Sequence, residues 1–532
     1  MDAGDVGRRE LLHQKHVFVL FFHASLRSKA TTARNPNKSK RVRAEVQFLR
    51  TGDRQKYANF AYAASVPEFH AEPYLHLAGL SHKSALIAWG AFYFKTRSHK
   101  QWKLVDDRDL RHVHPPRRES IGARSDPYGP ARVNVYEEAS GSLAATGFTE
   151  TTNYCWVAGL SPDTDYRYEV LVNGEGWGID ERWDWMRGSE QGLVQQGGRY
   201  VNRFRTHPDP AIEPTDAFTF IVIGDYGTGI LRSTPTRRQF EVARAMQLAF
   251  ERHDVRMIVT TGDNIYAGHR ILGLPVGGSG DEDDDWFFTF FQPYRYMLNR
   301  IPVYPCIGNH DSAETEERDD REQLLDNLYL RERIAGDEPS GRASMDPGLF
   351  YRFRFGRDVE FFCIDTSKED FFKGKRLFEY AKHWEWVEQT LTPDSTARWK
   401  FVFCHHPPFC AGPNHHNSDQ MDALLPLFAR AGVRVVLNGH EHNFQHSRHE
   451  GIDYFVTGAG SKLDPDRPDR FEEAHTVSWS NHAHFLLVTI AGSTMTVRVV
   501  GELDDAHASE LRDVPRYTPA GSGVTGPIVL RL

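Results

Sequence analysis

Hydrophobic and polar positions divide the chain into two regimes. From about residue 74 to 206, short runs alternate apolar and polar side chains and are broken by turn residues. Examples are 85–94 (ALIAWGAFYF), 166–172 (YRYEVLV, followed by Asn173-Gly174) and 201–205 (VNRFR). Strands of this length, with no helical period between them, predict an antiparallel sandwich. His207-Pro208-Asp209-Pro210 reads as a stiff linker. Beyond it the apolar runs become continuous: 218–223 (FTFIVI), 255–259 (VRMIV), 361–364 (FFCI), 401–403 (FVF) and 433–437 (VRVVL). Such runs predict strands buried on both faces, and helical periodicity at 236–252, 380–391 and 421–431 lies between them. The alternation predicts an α/β layered domain with parallel or mixed sheet. Residues 484–500 read as a closing hairpin around Ala491-Gly492-Ser493. The acidic run from Asp281 to Asp285 lacks EF-hand spacing and predicts a cap on a helix over 286–296, while the glycine-rich stretch 267–280 before it predicts a flexible flap.

Composition narrows the class. The chain has 532 residues, enough for two or three domains, and is 40% hydrophobic and 12% aromatic, which excludes a disordered chain. Its 64 Lys and Arg against 72 Asp and Glu leave a net charge of −8, so a whole-surface nucleic-acid binder is excluded and no nucleic-acid partner is expected. No apolar run approaches the roughly 18–20 residues that span a bilayer. Residues 1–50 carry 11 Lys and Arg against 4 Asp and Glu, with a basic polar stretch at 34–43, and read as a solvated arm. Residues 17–22 (VFVLFF) are too short for a signal core, and the five cysteines (155, 306, 363, 404 and 410) form neither a disulfide framework nor a CxxC site. These features favour the cytoplasm over export but leave the compartment open.

Chemistry is concentrated where five apolar strands run into polar clusters: Gly224-Asp225-Tyr226-Gly227, Gly262-Asp263-Asn264-Ile265-Tyr266, Gly308-Asn309-His310-Asp311, His405-His406-Pro407 and Gly439-His440-Glu441-His442. Ligands of open α/β sheets bind beyond the carboxyl ends of strands, so the five clusters converge on one sheet edge. Carboxylate, amide, imidazole and phenol donors without a thiolate suit hard to borderline metal ions.

In order and wording these motifs resemble the calcineurin-like metallophosphoesterases, and more narrowly the purple acid phosphatases, over about residues 218–500. The superfamily at large has Asp-x-His in its first motif; Asp225-Tyr226-Gly227 lacks that imidazole, and Tyr266, three residues after Asp263, fills the gap as in purple acid phosphatases. The resemblance implies a four-layer αββα sandwich preceded by a small all-β domain, since Asn153 to Tyr168 resembles the fibronectin type III-like domain found before such catalytic domains. It divides the chain into a basic extension (1–70), a β-sandwich (71–206), a catalytic domain (216–501) and a C-terminal tail (502–532).

The resemblance also assigns the site. Asp225, Asp263, Tyr266 and His442 would hold Fe³⁺; Asp263, Asn309, His405 and His440 would hold a divalent ion (Fe, Zn or Mn), with Asp263 bridging. The net positive centre would draw a small-molecule phosphoester, lower the pKa of bound water and supply hydroxide for in-line attack. His310 is the expected general acid. His415 and His416 resemble the substrate-binding His pair, displaced by one residue from the usual spacing, and His406 is a further substrate candidate, with His269 at the rim. The turn Gly458-Ala459-Gly460-Ser461 carries no implied chemistry. Phosphomonoester hydrolysis of the acid phosphatase type is thus expected; a phosphodiesterase or nucleotidase is the alternative on the same metals, and a binding protein the alternative without chemistry. The physiological ester and the oligomeric state are not legible.

Overall fold

The computed structural model describes residues 69–97, 101–104, 129–177, 200–212, 216–230, 237–266, 269–271, 274–276, 286–311, 320–336, 350–368, 375–507 and 509–532. The basic arm and the signal-like run 17–22 lie outside these residues, as does the acidic run from Asp281 to Asp285. Within the segment read as a flap, strands His269–Ile271 and Leu274–Val276 pair as a small antiparallel hairpin.

Two mixed sheets form the catalytic region. The first has the order Val303–Tyr304, Val255–Thr260, Phe218–Ile223, His484–Ala491, Thr494–Gly501, Ile528–Arg531; its first three strands run parallel. The second has nine strands, with a parallel run Val359–Cys363, Trp399–Phe403, Val435–Asn438, Ile452–Thr457 at its centre. Alternate residues explain why these strands read as unbroken apolar runs. Phe218, Phe220 and Val222 point into the core between the sheets with Phe361, Phe401 and Leu437, whereas Ile221, Ile223, Phe362, Val402 and Val436 pack with the helical layers. Phe220 meets Phe361 and Phe401 edge-on at 5.4 and 5.6 Å, each such buried ring stabilising by about 1.5–3 kcal/mol.

Prolines reset two helices. The stretch 421–431 divides into a 3₁₀ turn, Asp419–Met421, and a helix Leu425–Ala431 with Pro426 in its first turn, where a missing N–H costs nothing. The helix expected over 286–296 starts as a π-turn, Phe287–Phe291, and becomes α only at Gln292–Leu298; Pro293 cannot donate to the preceding turn, so the ladder widens before it. The segment 502–532, expected as a tail, instead adds Arg516–Tyr517 and Gly523–Val524 to the nine-stranded sheet and Ile528–Arg531 to the six-stranded one. These strands are too short or too exposed to leave a hydrophobic pattern.

The N-terminal all-β region has two antiparallel sheets around Leu75, Ile87, Trp89, Val133, Tyr166 and Val170. Its contact with the catalytic region is extensive: Tyr74 and Tyr329 hydroxyls lie 3.1 Å apart, Arg333 Nε donates to the Ala78 carbonyl at 2.7 Å, and Tyr168 donates to the Asn299 carbonyl at 2.7 Å. His207, in the segment read as a stiff linker, is buried, its ring 5.0 Å from that of Phe355.

Two histidines at this seam make it acid-sensitive. His76 is fully buried among the rings of Phe290, Phe291 and Tyr329, with neither ring nitrogen hydrogen-bonded. Burial and then the charge of Arg333 push it down to about 3; burial and then Arg256 do the same to His207. A folded-state value below the unfolded one means stability is full above pH 6.5 and falls with pH until about 3, by about 3 kcal/mol per histidine at pH 4. His76→Phe is expected to flatten the fall in thermal midpoint between pH 6.5 and 4. A parallel fall in parent and variant would remove His76 from that role.

Candidate active site

The polar clusters arrive at one rim because both sheets direct their parallel strands toward it. Asp225 follows Phe218–Ile223, Asp263 and Tyr266 follow Val255–Thr260, and Asn309 and His310 follow Val303–Tyr304. From the second sheet, His405 follows Trp399–Phe403, and His440 and His442 follow Val435–Asn438.

These side chains gather in two sets. In the first, the Tyr266 hydroxyl donates to Asp225 Oδ1 at 3.3 Å, His442 Nε2 lies 3.5 Å from that oxygen and 3.4 Å from the hydroxyl, and ligand atoms of Asp225, Asp263 and His442 fall within 4.8 Å of one another. In the second, Asn309 Oδ1 is 2.8 Å from His405 Nε2 and 3.1 Å from His440 Nδ1, with the two nitrogens 3.2 Å apart and His405 Nε2 3.5 Å from Asp263 Oδ1. Asp263 belongs to both. Asp225, Asp263 and His440 hold left-handed backbone (φ 54°, 50° and 72°), a strained state that persists because the surroundings fix it. The Asp225 N–H donates to the Gly262 carbonyl at 3.0 Å, and the His440 N–H donates to Asp225 Oδ2 at 3.0 Å.

Gly227 leaves the backbone bare beside the Tyr266 loop. A Cβ there would lie 2.2 Å from the Asn264 carbonyl oxygen, so no side chain fits at the position where an Asp-x-His motif carries its histidine. The bare backbone admits the 264–266 loop, whose Tyr266 N–H donates to the Gly227 carbonyl at 3.2 Å and whose hydroxyl reaches Asp225 Oδ1.

The donor chemistry fits a pair of cations. His405 Nδ1 faces the Thr261 carbonyl at 2.8 Å and holds a ring proton there, while Nε2 faces Asn309 Oδ1, beside His440 Nδ1. His405 Nε2, His440 Nδ1 and Asn309 Oδ1, within 3.2 Å of one another, make a cluster of nitrogen and oxygen donors of the kind a cation binds. Asp225 and Asp263 are fully buried without a Lys or Arg in ion-pair reach among the described residues. Burial, then the charge of Asp263, pushes Asp225 well above the carboxylate range; Asp263 stays below it, against its own burial, because His405 and His310 face it. Burial and then the two carboxylates raise Tyr266. A cation at the centre relieves each of these penalties.

Other predicted residues separate. His310 donates its backbone N–H to Asp263 Oδ1 at 3.0 Å and rests its ring 4.6 Å from that of Tyr266, with Nδ1 buried and without a hydrogen-bond partner. His415 lies 3.8 Å, ring to ring, from His440; His416 is exposed on the same loop. His406, expected to meet substrate, is buried, with Nδ1 3.0 Å from the Thr366 hydroxyl and Nε2 2.7 Å from Arg376 Nη1. Its ring nitrogens lie near those of His405 and His440, with the Arg376 guanidinium beside them. His269 lies in the small hairpin.

Several supporting residues escaped the sequence reading. Asp311 accepts from the backbone N–H groups of Gly308, Asn264 and Ile265 and from Asn264 Nδ2, at 2.8–3.1 Å, tying the Asp263 loop to the Asn309 loop. Burial and the charge of Asp263 raise its carboxyl to about 7. Buried Glu441 accepts the His415 N–H at 2.7 Å and stands 3.2 Å from His415 Nδ1. Asp311 and Glu441 lay inside the quoted motifs, and Thr366 at the exit of one more apolar strand; Arg376 carried no such signal.

Residues 218–444 match the sequence model of the calcineurin-like phosphoesterases. Those residues are a calcineurin-like phosphoesterase domain. The human tartrate-resistant acid phosphatase type 5 is 27% identical over 326 residues, 55% of this chain and 90% of that protein; purple acid phosphatase 4 of Arabidopsis thaliana is 28% identical over 272 residues, 47% and 70% of the two chains. The solved structure of purple acid phosphatase PPD1 from yellow lupin (Lupinus luteus) seeds shares the fold, with a TM-score of 0.52 and 12% identity over 84% of this chain and 74% of that one. A phosphoesterase domain preceded by an all-β region is the architecture of the chain, and the protein is a hydrolase of phosphate esters. No helix among the described residues is long and apolar enough to cross a membrane.

Proposed function

We propose that the protein is a binuclear phosphomonoesterase of the purple acid phosphatase type. The observation that carries this reading is the pair of donor sets sharing Asp263, with the Tyr266 hydroxyl in the position that Gly227 leaves without an imidazole. Asp225, Asp263, Tyr266 and His442 would hold a ferric ion, and Asp263, Asn309, His405 and His440 a divalent one. When bound, such a pair supplies Lewis-acid activation of water and neutralises phosphoryl charge.

The chain's own groups do the rest. His310, anchored through its N–H to Asp263 and against the Tyr266 ring, donates a proton to the departing alkoxide. His415, steadied by Glu441 beside His440, contacts the phosphoryl oxygens. Thr366 and Arg376 hold His406 against the His405 and His440 rings at 5.0 and 4.4 Å, where it acts as packing rather than as a substrate ligand.

Colour tests the phenolate. The purified protein is expected to show a visible tyrosinate-to-iron absorption band, and Tyr266→Phe to abolish it while circular dichroism stays unchanged. A band that survives the substitution would remove Tyr266 from the iron site.

A further inference from the structure

The turn following Gly458 carries no implied chemistry in the sequence, yet it brings a cation over the Tyr266 ring. The backbone N–H groups of Ser461 and Lys462 both donate to the Asp225 carbonyl at 3.2 Å, Gly460 donates to the Gly224 carbonyl at 3.0 Å, and Asp464 to the His442 carbonyl at 2.9 Å. The backbone of Lys462 is therefore pinned to the loops of two proposed metal ligands. Its side chain is half-buried and runs over the Tyr266 ring, with Nζ 4.5 Å from the centroid. Among the described residues no carboxylate lies within ion-pair distance of this ammonium. His310 stands 4.6 Å from the same ring, so ammonium and imidazole are no more than about 9 Å apart.

We propose that Lys462 is a specificity-determining residue: its ammonium binds a non-bridging oxygen of a dianionic phosphoryl group and thereby favours phosphomonoesters over phosphodiesters. The inference rests on the phosphomonoesterase reading above and deepens it. A single cation–π contact made by a half-exposed ammonium is a modest attraction, so it holds the ammonium loosely, and a flexible four-carbon stem can swing the charge from the ring to an entering anion. A monoester dianion offers that charge a terminal anionic oxygen, with the leaving oxygen turned toward His310. A diester carries one charge fewer and replaces one oxygen by a second substituent.

The test uses the metal-loaded protein and its Lys462→Gln and Lys462→Arg variants, assayed on an aryl phosphate monoester and the matching aryl diester. Binding of inorganic phosphate is measured by calorimetry, and metal content by elemental analysis. Lys462→Gln is expected to lower monoester kcat/KM about tenfold, mainly through KM, and to weaken inorganic phosphate binding by about the same factor, the scale of one charge-assisted hydrogen bond. Diester kcat/KM should stay within about twofold, metal content should match the parent, and Lys462→Arg should recover part of the phosphate affinity. Equal losses on both esters, a drop in metal content, or unchanged phosphate binding would overturn the proposal and leave Lys462 as a prop for Tyr266. If the parent hydrolyses neither ester, the phosphomonoesterase reading fails by itself, and the phosphate-binding arm still decides Lys462.

Discussion

Asp263→Asn is expected to strip the protein of both metal ions and to reduce phosphoester turnover on the order of 10³-fold or more. Asn is nearly isosteric, so Oδ1 can still accept the His310 N–H at 3.0 Å and the left-handed backbone at φ 50° is tolerated by Asn as by Asp. What disappears is the charge common to the two donor sets, 3.5 Å from His405 Nε2 and grouped with Asp225 and His442. Three of the first set's donors and three of the second's remain, but neither set keeps the carboxylate that links it to the other. Elemental analysis beside a thermal melt checks this. A variant that folds and retains both ions at the parental level would show that Asp263 is not the shared ligand.

For His310→Ala the expected outcome is different in kind: kcat falls by about 10²–10⁴ while metal content is preserved. The His310 ring packs on Tyr266 but is in neither donor set, and the contact that orders its loop comes from its backbone N–H, which alanine retains. The loss should be deepest for alkyl esters, whose leaving oxygen needs a proton, and shallow for nitrophenyl esters, whose leaving group departs as an anion. Loss of metal together with activity would make His310 a ligand instead.

The candidate centre was legible in the sequence to an unusual degree, because burial acts on strands one residue at a time. A strand covered on both faces, such as Phe218–Ile223 or Trp399–Phe403, must be apolar throughout, so the polar residue at its exit is conspicuous. Five such exits supplied the residues that the structure brings into two clusters, Tyr266 among them. Helix limits were less legible where proline acted on the hydrogen-bond ladder, as at Pro293 and Pro426. His406 illustrates a different limit: its place next to His405 marked it for chemistry, and its contact with the Arg376 guanidinium at 2.7 Å, brought from another loop, was not legible.

Local pattern thus determined the layered α/β class, the strand exits and the donor types, since each depends on burial and spacing within a few residues. Only the tertiary structure decided that Glu441 steadies His415, that 516–531 completes both sheets, that His207 is buried at a seam, and that Lys462 stands over Tyr266. Those contacts join side chains distant in sequence, whose meeting is fixed by how sheets and loops pack, and no periodicity in a one-dimensional chain records such a meeting.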